Sequence, residues 1–240
     1  MQRIKIRPNF IHYKKSKFLY NIREIVFGVE DGMLSTLGAL TGIAAGSNNH
    51  FFIILSGFVI VIVEAISMGI GSYLSTKSVK EVNERKLEEE KIEIEENPEE
   101  EKKELIKMYT RDGWPLTLAK EMALVASRNK SLLLREMAYR ELFTNFGDLE
   151  KPIRSGIFMF FSYIIGGSLP LLPYLFLPVS LAMITSIAIT LVGLFVLGSI
   201  TTKFTKRQWW KSGFEMFVLA SIAALAGYVI GVFVNSFIMK

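Results

Sequence analysis

Residues 51–96 form one stretch whose first half is apolar and whose second half is dense in glutamate. It contains no proline, and from Thr76 to Glu96 it has no glycine either, while Glu, Lys and Arg favour helix. One helix is therefore expected to pass from an apolar solvent into water without a break. Glu64 and Met68 lie within the apolar half, four residues apart on one helix face, with Glu64 a turn deeper.

Apolar runs at 23–47, 153–175, 177–202 and 213–237 join the run at 51–76. Each is long enough to cross a hydrocarbon core of about 30 Å. The expected fold is an all-α membrane protein with five transmembrane helices and a small cytosolic helical domain between the second and third spans. Its parts are a cytosolic amphipathic segment at 1–22, spans one and two within 23–76, the cytosolic domain at 77–150, and spans three to five within 151–240. The first segment mixes Phe10, Ile11, Phe18 and Leu19 with Lys14, Lys15 and Lys17, a pattern suited to an anionic membrane surface.

The formal charge of +5 hides a split. Residues 81–104 hold twelve Glu against five Lys and Arg, a net of −7, so the rest of the chain carries +12. Basic residues cluster at 1–22 and again at Lys203, Lys206, Arg207 and Lys211, whereas 47–50 and 170–178 contain neither Lys nor Arg. By the positive-inside rule, the N-terminus and the acidic segment are expected in the cytosol and the C-terminus outside. No cleavable leader is expected from the first residues, which points to a prokaryotic cell membrane.

Within the polar segment, Asn97-Pro98-Glu99-Glu100 predicts a stop and restart, with Asn97 as N-cap, Pro98 at the first helical position and Glu100 completing a capping box. Helices are expected to about Thr110, over 116–127, and over 131–143 with Ser131 as cap. In the first span, Gly38, Gly42 and Gly46 make a small-residue stripe that fits packing within a bundle or a dimer contact. Pro170, Pro173 and Pro178 are expected to punctuate an outer turn.

Glu90 and Glu93 share a helix face, as do Glu101 and Glu104 on the next helix. Brought together by the Asn97-Pro98 turn, they would line a site for a divalent cation; Met137 and Glu141, four apart, add a thioether and a further carboxylate. Oxygen donors suit Mg²⁺, Ca²⁺ or Mn²⁺, and a thioether shifts the preference toward Fe²⁺. The bland alternatives are a solvated acidic face and a core methionine packed with Leu133 and Leu134. In the membrane, Asp31 and Met68 each lie roughly 12 Å from the cytosolic ends of their spans and are expected at one level. An ionisable group at that depth needs protein or water around it, and a structural role for Asp31 is the alternative.

Enzymatic readings find little support. His12 and His50 are the only histidines, there is no cysteine, and no Gly-Lys-Ser/Thr phosphate loop is present. No prosthetic group, nucleic acid or ATP is implied, and transport would draw on a gradient.

Four segments resemble the vacuolar iron transporter family: Asp31-Gly32-Met33-Leu34-Ser35-Thr36, Ser67-Met68-Gly69-Ile70-Gly71-Ser72-Tyr73-Leu74, Asn97-Pro98-Glu99-Glu100-Glu101, and Gly166-Gly167-Ser168-Leu169-Pro170-Leu171-Leu172-Pro173-Tyr174. The resemblance implies a five-span homodimer in a lipid bilayer that exports Fe²⁺, and often Mn²⁺, from the cytosol in exchange for protons along a path between subunits. It implies metal contacts for Asp31 and Met68 in the path, and for Glu90, Glu93, Glu101, Glu104, Met137 and Glu141 in the cytosolic helices. Ala138 stands where some members have a second Met, which makes the site harder. Glu64 stands where many members have a small residue, so its role as ligand or proton carrier rests on depth alone. The rival expectation is a membrane-anchored metal-binding or sensing protein that does not transport.

Overall fold

Every regular element among the described residues, 22–140 and 151–238 of the computed structural model, is an α-helix. In order they are α1 (Ile22–Gly46), α2 (His50–Glu96), α3 (Pro98–Arg111), α4 (Leu116–Ser127), α5 (Lys130–Arg140), α6 (Pro152–Phe176), α7 (Val179–Thr205) and α8 (Trp209–Ile238). Two units are distinguished, one of residues 1–73 and 153–240, the other of residues 74–152. The expected amphipathic segment at 1–22 lies, but for its last residue, outside the described residues, as does Glu141.

In the first unit, α2, α6, α7 and α8 are long and apolar enough to cross a membrane, as in an integral membrane protein. The expectation of five spans thus meets four helices of that kind. The remaining one, α1, has a similar length of 25 residues but is diluted by Glu30, Asp31, glycines and hydroxyl residues. Its interior position compensates: Met33, Thr36, Leu37, Leu40 and Thr41 are all buried.

Glycines let backbones touch on both sides of α1. Toward α8, a Cβ added at Gly38, Gly42 or Gly46 would lie 3.2, 2.8 or 3.1 Å from the carbonyl oxygen of Ala223, Gly227 or Gly231. The small-residue stripe therefore packs within the bundle. Toward α6, a Cβ on Gly28 would meet Ser162 at 2.8 Å, and one on Gly32 would overlap the Tyr163 carbonyl oxygen. Residue numbers rise together in both sets, so α1 runs parallel to α6 and α8. They run oppositely between α2 and α6, where Gly57 faces Leu171, Val61 faces Gly167 and Gly69 faces Phe160. By the same reading α7 is antiparallel to α8, where Phe195 lies against Gly213 and Ser199 against Trp209, while Ser186 of α7 meets Pro170 of α6.

Three local expectations change. Pro170 and Pro173 lie inside α6, and only Pro178 stands at a turn, as the N-cap position of α7. Each internal proline deprives the carbonyl four residues earlier of its helical donor, which a helix tolerates when neighbouring helices supply polar partners. The carbonyls concerned are those of Gly166 and Leu169; one turn on, Ser186 Oγ donates to the Pro170 carbonyl at 2.7 Å and ties α7 to this stretch of α6. Next, Asn97 occupies the N-cap of α3 with Pro98 following, but its side chain makes no cap bond; instead its carbonyl accepts from Glu100 N and Glu101 N. Finally, α5 is capped by Asn129, whose Oδ1 accepts from Ser131 N at 3.0 Å and Leu132 N at 3.2 Å, so Ser131 sits inside the helix.

The second unit closes around Ile94, Leu105, Met108, Tyr109, Ala119, Ala123, Ala126, Leu133 and Met137, drawn from the end of α2 and from α3, α4 and α5. Gly113, at φ 95°, supplies the left-handed residue that ends the turn after α3. Tyr109 OH donates to Glu136 Oε2 at 3.1 Å, and the Arg140 guanidinium lies 4.2 Å from the Tyr109 ring centroid while pairing with Asp112. Burial, with the Glu136 carboxylate beside it, raises the Tyr109 hydroxyl above its ordinary pKa.

Candidate metal centre

Helix periodicity sorts the glutamates of α2 into two sets. Glu81, Glu84, Glu88 and Glu89 point to solvent and pair along the helix with Lys77, Lys80, Lys91 and Arg85 at 3.6, 3.4, 2.6 and 2.7 Å. These form the solvated face that a glutamate run ordinarily makes. Glu90 instead turns inward and is 3% exposed. On α3 the inward glutamate is Glu101, at 7%.

The turn at Asn97 folds α3 back, held by Asn97 N to Glu93 O at 2.8 Å and Glu101 N to Asn97 O at 3.1 Å. One carboxylate oxygen each from Glu90, Glu93 and Glu101 then lie within 4.8 Å of one another. Two ionised carboxylates that close repel by on the order of 3 kcal/mol at an effective dielectric of about 20. A divalent cation removes that repulsion and satisfies several lone pairs at once. Three oxygens, two buried and one exposed, make a hard-donor site with an open side.

The other expected ligands stand differently. Glu104 is exposed and outside this trio. Met137 is fully buried within the apolar cluster, the packing alternative weighed for it from spacing. Met108, also buried there, went unremarked in the sequence, although it lies seven residues after Glu101 on the same face.

In the first unit, Asp31 on α1 and Met68 on α2 are half-buried and Glu64 is exposed. Asp31 is close enough to Glu64 for the Glu64 charge to act on it. The register explains why: through α6, residues near 64 of α2 stand level with Tyr163, as does Asp31, while Met68 stands a turn closer to the start of α6. By backbone register Glu64 stands nearest the level of Asp31, with Met68 one turn of α2 away.

Further polar groups surround Asp31. Ser35 Oγ donates to the Asp31 carbonyl at 2.7 Å and lies 2.5 Å from Tyr163 OH. Glu30 is near both Asp31 and Glu215, and Glu215 pairs with Arg207 at 3.4 Å. Two turns before Asp31 on the same face, Glu24 is 1% exposed, with Oε1 3.0 Å from Arg23 Nη2 and Oε2 without a hydrogen-bond partner among the described residues. The seven-residue spacing of Glu24 and Asp31 was the available signal for it; nothing in the sequence singled out Tyr163.

Comparison with known proteins covers both units. A sequence model of the VIT family matches residues 22–232. The chain is similar to vacuolar iron transporter 1 of Oryza sativa subsp. japonica, 30% identical over 208 residues, which are 86% of this chain and 82% of that protein. It is similar to vacuolar iron transporter 1 of Tulipa gesneriana, 30% identical over 216 residues, 90% and 87% of the two chains. It is also similar to the vacuolar iron transporter of Plasmodium falciparum, 27% identical over 223 residues, 88% and 81%.

Proposed function

The chain belongs to the VIT family, and on that premise we propose that it carries Fe²⁺, with Mn²⁺ as a second cargo, out of the cytosol in exchange for protons. The observation that carries the proposal is the level pairing of Asp31 and Glu64 on an otherwise apolar unit. Around Glu64, the side chains of Val59, Ile62, Val63 and Ile66 are exposed. A carboxylate facing lipid there would cost about 2.5–3.5 kcal/mol, so this face requires water, a cation or protein against it. A second copy meets that need, and the homodimer is part of the proposal: the two subunits enclose the path, with Asp31, Glu64 and Met68 facing it. Metal and proton compete for the same carboxylate lone pairs, so one set of acids serves both directions of exchange.

A fifth span is proposed for α1. Its parallel, backbone-to-backbone packing against α6 and α8 supports this, since a helix running alongside two membrane-crossing helices over its whole length crosses with them. The charge distribution supports a cytosolic position for the 74–152 unit and the N-terminus. There Glu90, Glu93 and Glu101 collect metal, and Glu104, Met137 and Glu141 complete the proposed set. The roles are transport and metal holding, with no catalysed reaction.

The test is uptake of Fe²⁺ into liposomes containing the purified protein, with and without a pH gradient, while internal pH is followed. Gradient-dependent uptake with opposing proton movement is expected. Metal that binds but never crosses, with the gradient in either direction, would replace transport by the sensing alternative.

A further inference from the structure

The turns that join helices of the first unit differ sharply in charge. The 47–49 turn and the Leu177-Pro178 turn carry no Lys or Arg, whereas the chain from the end of α7 to the start of α8 carries Lys203, Lys206, Arg207 and Lys211. Both flanking helices are long and apolar enough to cross a membrane, so this turn lies at a membrane surface. Arg207 pairs with Glu215 at 3.4 Å, as Arg23 does with Glu24 at 3.0 Å. Lys203, Lys206 and Lys211 are exposed, and no ion pair joins any of them to a carboxylate among the described residues.

The fold sets these lysines at the end of one hairpin, above an apolar band. Helix α7 closes where Lys206 N donates to the Thr202 carbonyl at 2.8 Å, and the left-handed φ of 54° at Lys206 turns the chain back. The end of α7 and the start of α8 run side by side: Ser199 Oγ donates to the Trp209 carbonyl at 3.4 Å, and the Phe195 and Trp209 rings meet edge to face at 6.3 Å. Lys203 follows Ser199 by one turn and so shares the face of α7 that looks toward α8. On α8, Lys211 Nζ lies 5.5 Å from the Trp210 ring centroid. Trp209, Trp210 and Phe214 are more than half exposed. Aromatic side chains exposed on a spanning helix face lipid, and indoles settle where acyl chains give way to headgroups. The lysines beside them therefore stand at the level of the lipid phosphates.

We propose that the turn between α7 and α8 is a headgroup site for an anionic phospholipid. The ammonium groups of Lys203, Lys206 and Lys211 take the lipid phosphate, while Trp209 and Trp210 pack against the glycerol and the upper acyl carbons. Each ammonium offers three donors and no acceptor, which matches phosphate oxygens. At an anionic surface each Lys contributes a preference of about fivefold. A topology signal needs only the charges in the sequence; a headgroup site needs the folded hairpin to hold the lysines beside the indoles. Free phosphate has no apolar part for the indoles to meet, so the lipid is the source that fits. The site stands whichever ion the protein moves.

Two measurements on the full-length protein in neutral detergent test it. In native mass spectrometry with equal phosphatidylglycerol and phosphatidylcholine, the parent is expected to retain phosphatidylglycerol. Lys203→Gln, Lys206→Gln and Lys211→Gln combined should reduce that preference by on the order of 100-fold. Arginine at the same three positions should keep it, and so should a charge-matched control that combines Lys14→Gln, Lys15→Gln and Lys17→Gln. In thermal unfolding, phosphatidylglycerol should raise the melting temperature of the parent and the control but not of the turn variant, while phosphatidylcholine and inorganic phosphate should raise none. Should the triple glutamine variant melt early without lipid, Lys203→Gln alone should still lose about fivefold in retention. Equal retention of the two lipids by the parent, equal loss in the turn variant and the control, or stabilisation by inorganic phosphate would each overturn the site.

Discussion

In the second unit, inward-turned acids are set among outward-turned ones that pair with Lys and Arg, and they approach each other from two helices. In the first unit, no ion pair joins Asp31 or Glu64 to a Lys or Arg among the described residues; Asp31 has the Ser35 and Tyr163 hydroxyls nearby and lies between helices whose backbones touch. Water-soluble helices gather acids cheaply, because their neighbours solvate the surplus charge. A membrane helix has no such recourse, so a retained acid needs a companion across the helix interface or a partner at the surface. The first arrangement suits holding an ion and the second suits passing one.

The most severe way to break this contrast is Asp31→Ala, which should abolish metal flux in liposomes while leaving metal binding by the 74–152 glutamates unchanged in titration calorimetry. Flux that persists would remove Asp31 from the path. Glu90→Gln and Glu101→Gln should do the reverse, weakening binding by roughly 10–100-fold while flux at saturating metal continues. Loss of flux in these variants would mean that the two regions do not act separately.

Gly32→Ala sharpens the structural side of the contrast. Its Cβ would overlap α6 backbone, so thermal unfolding in detergent should reveal a loss of about 1–3 kcal/mol. At Gly71, where nothing lies within 4 Å, the same change should cost nothing. Met137→Leu keeps volume and removes sulfur; stability should fall by less than about 1.5 kcal/mol, and Fe²⁺ affinity should drop more than Mn²⁺ affinity. Equal affinities would leave Met137 to the core alone. The smallest effect concerns Tyr109. Its raised pKa means that the folded state keeps the proton longer than the unfolded state. Its stability contribution is complete below about pH 10 and is lost as pH rises through the folded value, so the parent should lose melting temperature relative to Tyr109→Phe above that point.

Much of the helical layout was legible because its signals are local. The unbroken 76–96 stretch became the second half of α2, the Asn97-Pro98 break separates α2 from α3, and the helix expected at 116–127 is α4. What escaped were features decided by neighbours. Pro170 and Pro173 read as turn residues because each removes a helical hydrogen bond, yet α6, packed among other helices, runs through both. Asn129 outcompeted Ser131 as a cap because its carboxamide reaches two amides. α1 falls below a spanning hydropathy chiefly because it carries Glu30 and Asp31, with glycines and hydroxyls diluting it further. For the glutamates, spacing identified the pairs, but only the fold separates Glu101, which enters the trio, from Glu104, which does not.

The glycine contacts that hold α1 have a mechanical meaning. Side chains meeting across an interface repack when helices shift, rotamer by rotamer. Carbonyls resting on glycines have no side chains to rearrange, and a Cβ at any of these positions would push α1 and α8 apart. The spacing between α1 and α8 is thus set by main chain alone, so it tolerates no residue larger than glycine at Gly42 or Gly227 without displacing a helix.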